Sequence, residues 1–263
     1  MKCTQGQTWR APQLCEHMRR NVMANGINTW EQFDTARKNF KEDQKDGRKA
    51  ALSQKIADAV DTEISDEKNI IYMAVEWGYG DAARNMHGIK NYEKTKKDAL
   101  KEIAQGFKKY FGESAPEDQT DFDDKHRAIC DIWINKFKDV NPELACYGKA
   151  QKIVNMAFKY LYCCEDASNY PKDGKNYFNY FKYCHVPLDS YTLKWFCHEW
   201  FYRLTKEEGM AVNEDVMPKW SKIKAYDNEI FSYMFFQGLF YEWYEDEDIT
   251  PLQAEFIYWP LVK

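Results

Sequence analysis

The spacing of apolar residues is the feature that most restricts how this chain can fold. Apolar side chains recur every three or four residues in most segments, and residues 93–111 are a clear example. Their Leu100, Ile103 and Phe107 fall on one face of a helix. A half-buried strand would instead alternate apolar and polar residues with a period of two, and we find no convincing hairpin of that kind. The sequence therefore predicts an all-α fold.

Polar and glycine-containing segments separate the predicted helices. Residues 78–81 are expected to break the apolar helix that begins near Lys68, and residues 112–121 are expected to form a longer loop. With 263 residues, 44% of them hydrophobic, the chain can bury the core of one large domain or of two small ones. We expect two helical lobes, residues 1–111 and 112–263, although both could belong to one continuous domain.

The composition indicates a soluble, cytoplasmic protein. No apolar run near Met1 resembles a signal peptide, and the most apolar stretch, residues 230–241, is too short to cross a bilayer. The eight cysteines are expected to be reduced and mostly buried, because nothing indicates secretion. We expect a monomer that has no membrane partner.

Familiar motifs for cofactors and metals are absent from the sequence. It contains no GxxxxGK[ST] phosphate loop, no GxGxxG after a strand, and no HExxH or GxSxG motif. The cysteine and histidine doublets at 163–164, 184–185 and 197–198 make poor chelating pairs, because adjacent side chains point in different directions. We therefore expect neither a metal site nor another cofactor.

The segment from Tyr147 to Thr192 holds the pattern that points to chemistry. We interpret Tyr147-Gly148 as a tight turn between two helices, which makes a helix–hairpin–helix element. Such a turn can offer backbone N–H groups to a DNA phosphate, aided by the positive end of the second helix. Lys152 falls in the first turn of that helix, and Asp189 starts the next helix after an extended Val-Pro-Leu segment. The lysine and the carboxylate can therefore face one cleft.

The sequences GKAQKIV, at residues 148–154, and VPLD, at residues 186–189, resemble the helix–hairpin–helix DNA glycosylases. The similarity is greatest to the 8-oxoguanine glycosylase branch and its archaeal relatives, and it covers residues 147–192. It implies that Lys152 is the nucleophile and that Asp189 is the catalytic aspartate. It also implies contacts with DNA at Gly148, Lys149, Gln151 and Tyr191.

The implied activity is excision of a damaged or modified base from double-stranded DNA, followed by strand cleavage as an AP lyase. The target nucleotide must first be extruded from the duplex. Lys152 must then be neutral to attack C1′ of the sugar, and burial beside Ile153, Met156 and Trp195 would lower its pKa. An ionised Asp189 would stabilise the positive charge that develops on the sugar. The candidates for stacking on the extruded base are Trp77, Tyr79 and Trp195.

The same residues also have plainer interpretations. Aspartate is among the best N-cap residues, so Asp189 could serve as a cap alone. Lys152 could belong to a solvated helix face with Lys149 and Lys159, and Gly148 could simply end a helix. The sequence has only one of the two glycines usual in the hairpin of the family, and the segment between Lys152 and Asp189 is longer than usual.

The distribution of charge suggests an alternative function. Residues 207–263 hold four basic and twelve acidic side chains, whereas the whole chain has a formal net charge of −5. A non-enzymatic interaction protein could use this acidic C-terminal surface to mimic DNA or to dock on a basic partner, although a solvated helix end is the plainer interpretation. A third option is a helical DNA binder without catalysis. The acidic residues concerned are Glu242, Glu245, Asp246, Glu247 and Asp248, beside Trp243 and Tyr244.

Overall fold

The computed structural model of the chain describes residues 30–64, 68–164, 176–196, 217–223, 226, 231–244 and 249–262. Every regular element within these ranges is helical, which confirms the all-α prediction. The α-helices are α1 (Trp30–Glu42), α2 (Asp46–Ala51), α3 (Ile56–Asp61), α4 (Ile70–Ala82), α5 (Glu93–Gly112), α6 (Gln119–Phe137), α7 (Tyr147–Tyr162), α8 (Ser190–Phe196), α9 (Tyr233–Tyr244) and α10 (Pro251–Val262). Short 3₁₀ helices span Ala83–Asn85, Ile89–Tyr92, Tyr177–Phe181 and Trp220–Lys222.

Apolar faces and side-chain caps explain where these helices form. The face predicted for α5 is buried, including Leu100, Ile103 and Phe107. At the start of α4, the side-chain oxygen of Asn69 accepts a hydrogen bond from the backbone N–H of Ile71 at 3.0 Å. An N-cap of this kind satisfies a donor that the first helical turn leaves unpaired.

Helix α7 is the centre of the fold, and every one of its residues is buried. Helix α4 packs along it most extensively, and α6 and the 3₁₀ helix Trp220–Lys222 cover other sides. A buried polar group that lacks a hydrogen bond costs on the order of 1–3 kcal/mol, so polar side chains in such a helix need partners within the protein. The lysines, glutamine and asparagine of α7 are therefore held in defined positions.

Gly78 allows α4 to approach α7 closely. A Cβ atom at Gly78 would overlap the backbone carbonyl oxygen of Ile153 and crowd the amide nitrogen of Ala157. Helix α4 continues through Gly78 and Gly80 without interruption, so the predicted break at residues 78–81 is wrong. A glycine inside a helix costs about 1 kcal/mol relative to alanine. Here the close contact between two backbones requires it.

Packing crosses the boundary predicted between residues 111 and 112. A loop does separate α5 from α6 there, but these two helices pack against each other. Helices α4 and α7, from opposite sides of the boundary, share the most extensive interface, and α1 packs against α10. Buried hydrophobic residues from Phe33 to Tyr258 form one core. The packing of the described residues is therefore that of a single core.

Some of the sequence predictions concern parts of the chain that the structure does not describe. Residues 245–248 of the acidic cluster lie outside the described ranges, and so do the side chains of Glu242, Trp243 and Trp195. The acidic surface and the stacking role of Trp195 therefore stay predictions. Among the described helices, none combines the length and the apolar character needed to cross a membrane.

Candidate active site

Lys152 and Asp189 form a buried ion pair. Lys152 lies in the second turn of α7, and Asp189 immediately precedes α8. The Nζ atom of Lys152 is 2.8 Å from Oδ2 of Asp189, and the two residues are only 5% and 8% exposed. This burial excludes a solvated helix face for Lys152. The fold thus brings together the two residues that the sequence predicts to face one cleft.

The two carboxylate oxygens of Asp189 have different partners. Oδ1 accepts a hydrogen bond from the backbone N–H of Thr192 at 2.8 Å, and the carbonyl oxygen of Asp189 accepts one from Leu193 at 2.9 Å. These are the bonds of an N-cap. Oδ2 accepts from Lys152 and, at 3.3 Å, from the indole Nε1–H of Trp259. Asp189 therefore caps α8 and also holds Lys152.

The surroundings of Asp189 keep its carboxyl group ionised. Burial by itself raises the pKa of Asp189, but the Lys152 ammonium beside it acts in the opposite direction. Hydrogen bonds from Thr192 and Trp259 also favour the charged form, and together these groups lower the pKa from 3.8 to about 2. The carboxylate is therefore negatively charged throughout the neutral pH range.

Gln151 fixes the extended segment that leads to Asp189. Its Nε2 donates to the carbonyl oxygen of Leu188 at 2.9 Å, and its Oε1 accepts from the N–H of Leu188 at 3.2 Å. Gln237 on α9 binds the backbone of Val186 in the same way, with both bonds at 2.9 Å. Gln151 is fully buried. It has no surface to offer to DNA, and instead it positions Asp189.

Gly148 and Lys149 lie in the first turn of α7, which corrects the hairpin interpretation of Tyr147-Gly148. The N–H of Gly148 donates to the carbonyl oxygen of Ile223 at 2.8 Å, and a Cβ atom there would overlap the carbonyl oxygen of Trp220. The Nζ atom of Lys149 donates to the carbonyl oxygen of Glu143. The backbone of residues 220–223 thus covers the helix start that the hairpin interpretation offers to phosphate.

A cavity of about 470 Å³ opens beside the ion pair. Both Lys152 and Asp189 line it, as does Tyr191, a predicted DNA contact. Its walls come from α1, α2, α4, α7, α8 and α10 together with the 3₁₀ helices at residues 83–85 and 220–222. The volume lies within the range of roughly 300–1,000 Å³ that small-molecule sites occupy. The ion pair is therefore part of a space that can accept a ligand.

One wall of the cavity carries a hydrogen-bonded chain of three polar side chains. Nη1 of Arg48 donates to the hydroxyl of Tyr160 at 2.7 Å, and that hydroxyl donates to Oδ2 of Asp81 at 2.7 Å. The Arg48 guanidinium also lies over the rings of Tyr160 and Trp77, 5.3 and 5.8 Å from their centroids. Burial and the charge of Asp81 raise the pKa of Tyr160, so its hydroxyl stays protonated. No sequence motif marks these residues.

A second buried ion pair lies about two helical turns further along α7. Lys159 and Glu255 of α10 are 2% and 1% exposed, and the Lys159 ammonium contacts the Glu255 carboxylate. Burial raises the pKa of Glu255, although the charge of Lys159 opposes that effect. Lys159 also lines the cavity, and its burial excludes the solvated helix face considered for it. The rings within 4.5–5.3 Å of its Nζ belong to Phe40, Phe256 and Trp259.

The predicted stacking residues do not form the described walls of the cavity. Trp77 lies against Tyr160, with ring centroids 5.3 Å apart, and Tyr79 lies against Trp133 at 6.2 Å. The side chain of Trp195 is not described. Aromatic side chains from five other segments line the cavity, and they are Phe40, Tyr160, Tyr191, Trp220 and Trp259. Only Tyr191 is among the residues predicted to contact DNA, because the other four are dispersed along the chain.

A network of buried polar side chains also surrounds α7, with Asn155 at its centre. Oδ1 of Asn155 accepts from Nε2 of His126 at 2.7 Å, and Nδ2 donates to the hydroxyl of Tyr233 at 2.9 Å. Tyr233 donates to Nδ1 of His185 at 2.7 Å, and Nε2 of His185 donates to Asp123 at 2.9 Å. Burial lowers the pKa of both histidines, which favours their neutral forms. The network ties α6, α7 and α9 to the segment that carries Asp189.

The described cysteines are free thiols. Five of them fall within the described ranges, and all five are buried: Cys130, Cys146, Cys163, Cys164 and Cys184. Over the same ranges, no group of three or more histidine, cysteine, aspartate or glutamate side chains is arranged to hold a metal ion.

Comparison with protein-family models, with curated proteins and with solved structures finds no match for this chain. The resemblance to DNA glycosylases therefore rests on residues 147–192 alone. The function has to be inferred from the geometry and the chemistry of the site itself.

Proposed function

We propose that this protein is a DNA glycosylase with AP lyase activity, in which Lys152 is the nucleophile. The observation that carries the proposal is the position of Lys152 Nζ, 2.8 Å from the Asp189 carboxylate on the wall of a cavity of about 470 Å³. A buried titratable pair in a cleft is a candidate catalytic site. The resemblance of residues 148–154 and 186–189 to the glycosylase family points to the same two side chains.

The reaction begins with extrusion of the target nucleotide, because a base within the duplex stack cannot reach a buried amine. The cavity then receives the extruded base. Trp259 and Tyr191 line the cavity close to Asp189 and offer ring surfaces on which a base can stack. Arg48 and Asp81, which both contact the Tyr160 hydroxyl, add a hydrogen-bond donor and an acceptor to the cavity. These groups supply the means to distinguish one base from another.

The chemical step exchanges one bond at C1′ of the sugar for another. The ammonium of Lys152 must first lose a proton, and the amine nitrogen then forms a bond to C1′. The bond between C1′ and the base nitrogen breaks, and its electron pair leaves with the base, which takes up a proton. The nitrogen then loses a further proton, the C1′–O4′ bond breaks while O4′ takes up a proton, and C1′ and nitrogen form the double bond of a Schiff base. β-Elimination then removes a proton from C2′ and breaks the C3′–O3′ bond, whose electron pair leaves with the phosphate; this strand cleavage is the AP lyase activity.

Asp189 contributes through its charge and through the position it gives to Lys152. Because its pKa is lowered to about 2, it remains a carboxylate while positive charge develops on the sugar. An electrostatic role suits such a group better than general acid catalysis, which needs a pKa near the working pH. The N-cap hydrogen bond from Thr192 goes to Oδ1, so it holds the carboxylate in place and leaves Oδ2 to its other partners.

Covalent trapping tests this proposal. The purified chain is incubated with duplexes that each contain one modified base, and sodium borohydride is added to reduce any Schiff base to a stable adduct. We expect an adduct with the wild-type protein and none with Lys152→Gln. Lys149→Gln is the matched control, because it removes a second buried lysine of α7 that contacts a backbone carbonyl outside the cavity. Thermal unfolding verifies that both variants fold.

Two outcomes would contradict the proposal. One is the absence of any wild-type adduct across a broad panel of modified bases, and the other is an undiminished adduct with Lys152→Gln. The second outcome would assign the Schiff base to another amine, and the first would leave a DNA-binding or interaction protein. Such a protein would tolerate Lys152→Gln, and an acidic-surface binder would lose its partner when residues 245–248 are neutralised.

A further inference from the structure

A groove of about 460 Å³ adjoins the cavity that contains Lys152 and Asp189. The two spaces share the side chains of Asn85, Ser190 and Trp220 as lining residues. Ser190 directly follows Asp189, so the groove starts at the catalytic carboxylate. A polymer with one unit in the cavity can pass its neighbouring units along such a surface.

The charge of the groove differs from that of the cavity. Lys194 and Lys219 line the groove and are exposed, whereas none of the described residues that line it is an aspartate or a glutamate. Arg84, which is also exposed, lies on the cavity wall next to the shared Asn85. The cavity itself is lined by four cationic side chains and three aspartates. The groove is therefore an exposed cationic path that leads to a mixed-charge pocket.

Both sides of the groove are anchored to the site. On one side, Ser221 accepts a hydrogen bond through its carbonyl oxygen from Sγ of Cys146 at 3.0 Å, and Ile223 accepts from the N–H of Gly148 at 2.8 Å. On the other side, Lys194 belongs to α8, which Asp189 caps. The lysines are thus carried by backbone that is fixed relative to Lys152.

We infer that this groove, and not the start of α7, binds the phosphate backbone of the DNA strand on one side of the extruded nucleotide. The inference rests on the proposed function, because it takes the cavity as the place of the extruded base. Lysines recognise phosphates through charge and position a strand without reading its sequence. Because the predicted DNA contacts in the first two turns of α7 are buried, other residues must bind the phosphates. The buried residues are Gly148, Lys149 and Gln151. Lys194 and Lys219 are the exposed lysines that line this path.

The test compares two double variants that remove the same charge. Lys194→Gln/Lys219→Gln alters the groove, and Lys94→Gln/Lys97→Gln alters two exposed lysines of α5. Fluorescence anisotropy measures binding to a duplex that contains a stable abasic-site analogue, at several salt concentrations. The logarithm of affinity falls with the logarithm of salt by about 0.9 for each phosphate contact. Loss of two contacts should therefore make the slope shallower by about two, and the control pair should retain the wild-type slope.

Borohydride trapping at saturating DNA accompanies the binding measurement and separates this inference from the proposed function. We expect the groove variant to bind at least about tenfold more weakly at low salt, since a slope difference near two amounts to about tenfold between roughly 50 and 200 mM salt. Its trapping rate once saturated should equal that of the wild type. If the wild type gives an adduct but the groove variant binds like the control variant, the groove inference is overturned and the proposed function stands.

The reverse outcome is equally informative. If no adduct forms with any base but the wild type binds DNA with a salt dependence that the groove variant loses, the groove inference stands and the proposed function fails. If the wild type binds the duplex no more tightly than the groove variant does at every salt concentration, the groove inference is overturned.

Discussion

At the scale of the residue, Asp189 combines an N-cap and a buried ion pair in one carboxylate. Oδ1 caps α8 through Thr192, and Oδ2 receives Lys152 and Trp259. The sequence supports the cap, because aspartate precedes an apolar helical pattern, and the resemblance supports the pairing with Lys152. The bond from Trp259 could not be predicted, since it depends on how α10 packs. The N-cap and the pairing with Lys152 therefore coexist in this side chain.

Replacement of Asp189 by asparagine separates these tasks. Asparagine is an equally good N-cap residue, so α8 should stay capped, but Lys152 would lose its counter-charge. Removing one partner of a buried ion pair costs about 3–5 kcal/mol, because the other charge stays buried and unpaired. We expect Asp189→Asn to lower the free energy of unfolding, measured with urea, by about 3 kcal/mol. We also expect it to abolish borohydride trapping.

The double variant Lys152→Met/Asp189→Asn provides the control for this measurement. It removes the unpaired ammonium, so it should recover part of the lost stability while trapping stays absent. Equal destabilisation in the single and the double variant would show that the pair contributes through packing alone.

At the scale of the element, α7 determines where the candidate site lies, because a helix buried on all sides fixes each of its polar side chains. The spacing of apolar residues predicts α7 over most of its length. The glycines are harder to interpret, because the sequence shows only their low helix propensity and not the segments that pack against them. Gly78 and Gly148 both lie inside helices, where they admit the backbone of residues 153 and 220. A local sequence pattern does not reveal which segments come into close contact in the fold.

Alanine substitution at two glycines tests this explanation. A Cβ atom at Gly78 would overlap Ile153 of α7, and overpacking of a core costs typically about 1–3 kcal/mol. Gly47 lies in α2 with no atom near enough to contact a Cβ atom. We expect Gly78→Ala to lower the urea-unfolding free energy by about 1–3 kcal/mol. Gly47→Ala should raise it by up to about 1 kcal/mol, because alanine favours the helix. Stabilisation by both substitutions would refute the close-contact explanation.

At the scale of the whole molecule, one core joins helices that the sequence divides into two predicted lobes. The loop between α5 and α6 is visible in the composition, but the packing of α4 on α7 and of α1 on α10 is not. The cavity likewise depends on packing between segments that are distant in the sequence. Lys152, Asp189 and Tyr191 are recognisable from one segment, whereas Arg48, Asp81 and Trp259 reach the cavity from distant helices. Long-range packing thus decides the part of the site that a sequence pattern does not reveal.

The buried histidine network should make the stability of the whole molecule depend on pH. Burial, reinforced by the neighbouring His185, lowers the pKa of His126 well below 6.5, and burial also lowers that of His185. An unfolded chain takes up protons on these histidines below about pH 6.5, whereas the folded chain does not. The stabilisation is therefore complete above that pH and is lost as the pH falls towards the lowered folded-state pKa values.

We expect the urea-unfolding free energy to fall between pH 7.5 and pH 5, because each pH unit below about 6.5 costs up to about 1.4 kcal/mol for a histidine that stays neutral only in the folded chain. Asp189, whose pKa is lowered to about 2, contributes a loss only below about pH 4. Glu255 acts in the opposite direction because its pKa is raised. The variant His126→Gln isolates the effect, since Glu255 is the same in both proteins. If the wild type and His126→Gln lose equal stability on acidification, His126 does not titrate on unfolding in this range.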